Sequence, residues 1–308
     1  MDCAAVCCWA AACGSGSWPH TRMPNGTTTR RRPESMPEEH PMPASTSTTR
    51  LALWSALLGV VLPTAAQTFD SVQLHNAAPG ADGGTIGLAI VSTPEYLGSD
   101  QRKTLGFPAL GYQWANGWFA GLDNGVGYNF SKNPALHYGL RLTADLGRPS
   151  GDNAALRGMG DVDAKPEVGG FVTYAPAEGL ALTGSVRWGS GPSSNGTVVN
   201  LGVGYSVALA PQWRLGTQLS ATLADRQHMQ SYFGVDAPQA ARSGYALYTP
   251  DAGLRDTRLG VSLTYALNPR TFVTTIVSGS VLGDAAKNSP VARSSNANAA
   301  VLALTYAF

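Results

Sequence analysis

Side chains equipped for chemistry are few in this sequence, and they are scattered. Past residue 66 there are three histidines, His75, His137 and His228, and no cysteine, because Cys3, Cys7, Cys8 and Cys13 all lie earlier. A nucleophilic serine needs a base and a group that orients the base, and no G-x-S-x-G turn supplies one. His137 shares the polar face of an alternating stretch with Thr143 and Asp145. It is the histidine to test for a lipid hydrolase or acyl transferase, against the plainer role of a hydrogen-bonded residue in a polar interior. His228 reads as a loop residue. Asp161 and Asp163 in "GDVD", with Asp152, offer oxygens to a divalent cation but lack the full ligand series of a calcium loop. No Cys/His spacing fits zinc. "GVGY" recurs at 125–128 and 202–205, both times inside an alternating stretch rather than at a strand-to-helix turn, so a nucleotide site fails on context. The expectation is a protein without a catalytic, metal or cofactor site.

The elements that hold these residues are strands. In "WRLGTQLSATLAD", Trp213, Leu215, Leu219 and Leu223 share one face while Arg214, Gln218 and Ser220 share the other. "VNLGVGYSVAL" (199–209), "RLGVSLTYAL" (258–267) and "HYGLRLTADL" (137–146) repeat the pattern. The final "AVLALTYAF" does so too, with Leu302, Leu304, Tyr306 and Phe308 on one side. A soluble sandwich also alternates. These stretches, however, are about 9–12 residues long, as a tilted membrane strand must be, whereas soluble strands are commonly about 5 or 6. Their polar faces carry Gly, Ser, Thr and isolated charges, as a lumen does, and aromatics (Trp118, Phe119, Tyr174, Trp213, Tyr306, Phe308) lie near their ends, where interfacial girdles belong. Backbone in lipid must satisfy its own hydrogen bonds, so such strands close into a barrel.

Eleven stretches are countable: 84–92, 104–114, 117–130, 136–147, 164–175, 180–189, 197–210, 213–225, 254–268, 271–284 and 296–308. Single-chain bacterial barrels have even strand numbers. We therefore expect an all-β, closed antiparallel transmembrane barrel of twelve strands, with ten as the alternative and "LDNGVGY" as the place of a hidden hairpin. Short turns at 175–179, 210–212 and 268–270 alternate with long polar links at 148–164, 225–254 and 284–296, which places the short ones in the periplasm. Arg141, Asp145, Glu167, Arg187, Arg214 and Arg258 fall on polar faces and are expected in the lumen. They either pair across a filled interior or line a pore. Link 225–254, with Tyr232, Phe233, Tyr245 and Tyr248, is long enough to fold over the mouth, and a largely occluded lumen is expected.

The amino-terminal part differs from the rest. "RLALWSALLGVVLPTAAQ" has the basic residue, short apolar core and small-residue end of a secretory signal peptide cleaved after Ala66. The expectation is an extension or mis-assigned start at 1–41, a signal peptide at 42–66 with Met42 or Met36 as the biological start, a periplasmic segment at 67–83 and the barrel at 84–308. After residue 66 acidic and basic residues balance, so there is no electrostatic footprint for nucleic acid.

Several segments, in order, resemble the MipA/OmpV family: "PEYLGSD" (94–100), "ALRGMGDVD" (155–163), "MQSYFGVDAPQAARSG" (229–244), "AGLRD" (252–256), "LGDAAKNSPVAR" (282–293) and the terminal "LTYAF". The matching loop positions include Tyr96, Gly98, Ser99, Asp100, Arg157, Gly158, Asp161, Gln230, Ser231, Tyr232, Phe233 and Gly234. Leu304, Tyr306 and Phe308 resemble the terminal signal read by the outer-membrane barrel assembly machinery. The resemblance implies a bacterial outer-membrane protein in contact with lipid. It also implies a scaffold role, joining a murein lytic transglycosylase to a bifunctional penicillin-binding peptidoglycan synthase. A small channel or a stress-responsive surface protein is the alternative.

Overall fold

The computed structural model describes residues 81–193 and 196–308. The expected extension, the signal peptide, His75 and the segment up to residue 80 lie outside the described residues. Twelve antiparallel strands follow in chain order: β1 (Gly83–Pro94), β2 (Arg102–Gln113), β3 (Trp118–Gly121), β4 (Gly125–Asn129), β5 (Leu136–Asp145), β6 (Lys165–Ala177), β7 (Leu180–Ser190), β8 (Gly196–Ala210), β9 (Trp213–Ala224), β10 (Gly253–Asn268), β11 (Thr271–Leu282) and β12 (Asn296–Ala307). Each pairs with its chain neighbours, and β1 pairs with β12, from Thr85 opposite Ala307 to Ser92 opposite Ala300. The sheet is therefore a closed barrel of the expected twelve strands.

Alternation decides which face is which. Leu88, Leu140, Leu201, Leu259 and Leu304 are all exposed, whereas Arg141, Asp145, Glu167, Thr222 and Ser278 between such positions are buried. A belt of exposed leucine and valine all the way round is a liability in water and the required surface in hydrocarbon.

The hidden hairpin is where the sequence placed it. Stretch 117–130 divides into β3 and β4, joined by Leu122–Asp123–Asn124. Gly125 makes this turn possible. Its φ is +74° and a Cβ there would lie 2.1 Å from the Leu142 carbonyl oxygen, so no other residue fits.

Both chain ends of the barrel and the short connections at 178–179, 211–212 and 269–270 lie at one rim, with the long links at the other. An aromatic band marks the short-turn rim. Phe308, Tyr112 and Trp114 follow one another with ring centroids 6.1 and 4.9 Å apart, and Trp118, Tyr128, Phe130 and Tyr138 continue it at 5.4, 5.2 and 6.0 Å. Phe119 departs from its expected girdle position. It points inward, 2% exposed, edge-on to Phe171 at 5.6 Å, because its neighbour Trp118 takes the lipid side and strand parity sends Phe119 to the lumen.

Candidate functional site at the outer mouth

The long links are not free loops. Link 225–252 carries α1 (Arg226–Phe233) and α2 (Ala237–Ser243), and link 283–295 carries α3 (Asp284–Lys287). Asp225 caps α1 by accepting the His228 N–H at 2.8 Å, and its other oxygen accepts the Thr197 N–H of β8 at 2.8 Å. One carboxylate thus starts the helix and ties it to the wall. Asp236 and Gln239 form a reciprocal capping box on α2, and Gly244 closes that helix at φ +77°.

Two apolar clusters hold the links together. Tyr96, Ala155, Leu156, Met159, Val235 and Val291 form the first. They come from four links, after β1, β5, β9 and β11. The links after β5 and β11 leave the wall half a ring apart, so a shared cluster has to span the mouth. In the second, Met229 and Phe233 of α1 and Ala286 of α3 pack on Val198, Ala224 and Leu282 of the wall. The result is a lid with its own core.

Beneath the lid lies a polar network. Tyr232 donates to Asp145 Oδ1 at 2.5 Å, and Asp145 also accepts the backbone N–H groups of Gly147 at 3.0 Å and Gly191 at 3.4 Å. Arg148 donates to the Tyr232 carbonyl at 2.5 Å. The His228 ring stacks on Tyr232 at 4.7 Å, and its two nitrogens meet Ser190 Oγ at 2.8 Å and Arg255 Nη1 at 3.1 Å. Arg255 bonds Asp256 at 2.8 Å, and Asp256 also faces Arg258 at 3.8 Å. Burial and the nearby Arg255 and Arg187 guanidinium groups hold the His228 pKa well below its ordinary value, so the ring is neutral at pH 7. Burial, then the Asp145 charge, pushes the Tyr232 phenol far up. Arg148 is shifted down by burial, and Tyr96 is pushed up to about 12 by burial.

The Ser190–His228 contact was not foreseen from the sequence, where thirty-eight residues separate the two. Its chemistry is set by Arg255. A guanidinium only donates, so Nε2 of His228 accepts from it, and the proton of the neutral ring sits on Nδ1, directed at Ser190. A catalytic base needs its lone pair on the serine. Here that lone pair faces the Arg255 guanidinium instead. His137, on β5, meets the Asn129 side-chain amide at 3.1 Å through Nδ1, with no serine at that nitrogen.

The charged positions expected in the lumen separate into three places. Arg141, Asp145 and Glu167 are buried on neighbouring strands β5 and β6, and Glu167 pairs with Arg187 of β7 at 2.9 Å. Arg258 joins the Asp256 cluster across the lumen, while Arg214 is exposed near the short-turn rim, 3.3 Å from Ser206 Oγ. The loop positions drawn from the family motifs converge on the lid. Tyr96 donates to the Val291 carbonyl at 2.9 Å, Gly98 accepts the Arg293 N–H at 2.7 Å, and Gly158 accepts from Arg242 at 3.1 Å. Ser99 Oγ accepts the Gln101 N–H at 3.0 Å and Phe233 accepts from Ser289 at 2.5 Å. Ser231 caps back to Gln227, and the Gln230 carbonyl accepts the Gly234 N–H. Asp100 and Arg157 are exposed. Asp161 accepts from both the N–H and the Oγ of Ser150, which keeps its carboxyl pKa low, while Asp152 pairs with Lys103 at 3.2 Å. Asp161 and Asp152 are thus engaged separately, and Asp163 is exposed.

A closed barrel with a lipid-facing belt, an aromatic girdle and short turns at one rim defines an outer-membrane β-barrel protein of bacteria. The sequence model of the family described as "MltA-interacting protein MipA" matches residues 86–308. The chain belongs to that family. No curated protein matches it. Among solved structures it is similar to the KdgM porin (10% identity, TM-score 0.39, covering 73% of this chain and 99% of that one). It is also similar to an outer membrane channel from Pseudomonas putida F1 (12%, 0.42, 77% and 100%) and to the NanC porin (11%, 0.40, 71% and 98%).

Proposed function

We propose that this barrel is a non-enzymatic membrane anchor that binds cell-wall enzymes from its periplasmic rim. The family's name gives MltA as a partner; the partners we assign are a murein lytic transglycosylase and a penicillin-binding peptidoglycan synthase, as the resemblance implies. The observation that carries this reading is the lid. A lid with an apolar core and a buried hydrogen-bonded network beneath it opposes free passage of solutes through the mouth. Such an investment in closure suits an anchor better than a pore. The tautomer that Arg255 imposes on His228 supports the absence of serine-type catalysis.

The short turns offer little surface, so the docking site is assigned to them together with the expected periplasmic segment 67–83, less Gly83, which opens β1. Asp82 also fixes the connection between β2 and β3 at the same rim, accepting the Ala115 N–H at 2.9 Å. Leu304, Tyr306 and Phe308, exposed on the last strand, are assigned to recognition by the assembly machinery. The experiment is a pull-down with the folded mature chain as bait. Retention of both enzymes that disappears when residues 67–82 are deleted supports the reading. Retention unchanged by that deletion moves the site to the turns, and no retention by a folded barrel contradicts it.

A further inference from the structure

Among the described residues the barrel wall is fully paired in its lower half; above the β3–β4 hairpin β2 and β5 have no strand between them, and the link after β5 bounds the interval at its top, where Asp152 meets Lys103 of β2 at 3.2 Å. β2 pairs with β1 along its whole length, from Gly83 opposite Gln113 to Pro94 opposite Arg102. On its other side it pairs with β3 only at Gly111–Gln113, and the last bond is Leu122 N–H to the Leu110 carbonyl at 3.0 Å. β5 in turn pairs with β4 only over Gly139–Leu142. At the hairpin the two long strands stand three strand spacings apart, about 14 Å. Among the described residues, no strand fills that interval above Leu122–Asn124.

Parity then identifies what borders the gap. In an antiparallel strand, alternate residues direct both backbone groups to the same neighbour. Because Leu110 faces β3, Pro108, Gly106 and Thr104 turn their backbone toward the gap. Pro108 is the informative one. Proline within a sheet is confined to edges, since it has no N–H to give, and it also blocks addition of a foreign strand. The gap is therefore a standing edge and not a vacant pairing site. Its floor exposes one charge beside Leu122: Asp123 lies one short strand above the Trp118 girdle, about 10 Å up, inside an apolar belt about 25 Å tall. Irregular polar backbone at that depth is tolerated where it lines a wet cavity.

Behind the opening the lumen is two-sided. Val91 and Ala89 are buried on the inner face of β1, directly opposite Leu105 and Phe107 of β2, which therefore also face inward. The inner face of β5 and β6 bears Arg141, Asp145 and Glu167. Alkyl chain on one side, charged or polar head on the other: that is the complement of an amphiphile.

We propose that the β2–β5 gap is a lateral window through which a single-chain amphiphile enters the lumen from the membrane, while the lid closes the axial route. The alkyl chain lies along Leu105 and Phe107, and the polar head reaches the charged wall. This goes beyond the anchor reading and does not depend on it.

Residues 67–308 contain no cysteine, so one thiol introduced into that segment can carry a bimane reporter. Leu105→Cys places it behind the window, and Ser262→Cys places it on the inner face of β10, where the wall is fully paired. Both go into vesicles containing either brominated phospholipid or a brominated fatty acid in plain phosphatidylcholine. The expected result is quenching at position 105 at least threefold stronger than at position 262 with the fatty acid, and weaker with the phospholipid. Adding Phe107→Asp, a charge on an inward face, should reduce the fatty-acid effect severalfold. Equal quenching at the two positions overturns the window. Quenching at 105 that appears only when residues 67–80 are deleted also overturns it, because the chain's own segment then fills the gap. Stronger quenching by phospholipid than by fatty acid overturns the single-chain ligand.

Discussion

Gly84 and Phe308 exchange both backbone hydrogen bonds, at 2.9 and 3.0 Å, and so close the seam between the first and last strands. The Phe308 ring lies where a Gly84 side chain would be, 2.6 Å from the Cβ position, with the Tyr112 ring 2.7 Å away on the same side. The terminal aromatic is therefore part of the wall as well as an exposed apolar end.

The seam gives a first prediction. Gly84→Val forces Phe308 and Tyr112 apart, and Phe308→Ala removes the ring but keeps the backbone pair. Both variants should lower the fraction of folded, heat-modifiable barrel on a gel severalfold. Gly84→Val should be partly rescued by Phe308→Ala, since one of the two rings it strikes is then removed while Tyr112 remains.

Glu167 is 1% exposed and its partner Arg187 is largely covered. Removing one member of such a pair leaves a buried charge, at a cost of about 3–5 kcal/mol. Glu167→Ala should show that loss in urea unfolding from lipid vesicles. Replacing Glu167 and Arg187 together by leucine should recover much of it.

His228 sets a pH dependence for the lid. Its pKa in the folded lid is depressed below the ordinary value of 6.5. The unfolded loop therefore binds a proton that the folded lid refuses. The stabilisation is complete above pH 6.5 and is lost as pH falls below it, by at most about 1.4 kcal/mol per pH unit. Protease cleavage within 225–252 should accelerate between pH 6.5 and 5, and His228→Gln should flatten that rise.

Phe233 is 1% exposed and anchors α1 to the wall. Phe233→Ala should weaken the lid by about 3–5 kcal/mol. In planar bilayers the wild-type barrel is expected to be silent, and this variant should show openings. Conductance of the wild type equal to that of the variant would contradict a closing role for the lid.

The barrel was legible in the sequence because its signal is local. Period-two alternation in each stretch needs no knowledge of the neighbouring strand, and the even-number rule with "LDNGVGY" located the short hairpin. The lid was only half legible. Link length and its tyrosines pointed to a cover, but Ser190, His228 and Arg255 come from β7, α1 and β10 and carry no common spacing. Phe119 was misplaced because an aromatic near a strand end suits girdle and lumen alike until its parity with Trp118 is applied. Pro108 carried the signal of an open edge, and alternation alone passed over it.

The most direct measurement is equilibrium binding of purified lytic transglycosylase to the folded mature barrel in lipid nanodiscs. Saturable binding is expected, lost with residues 67–82 and unchanged by Phe233→Ala at the opposite rim. Absence of saturable binding to a barrel shown to be folded would contradict the anchor reading.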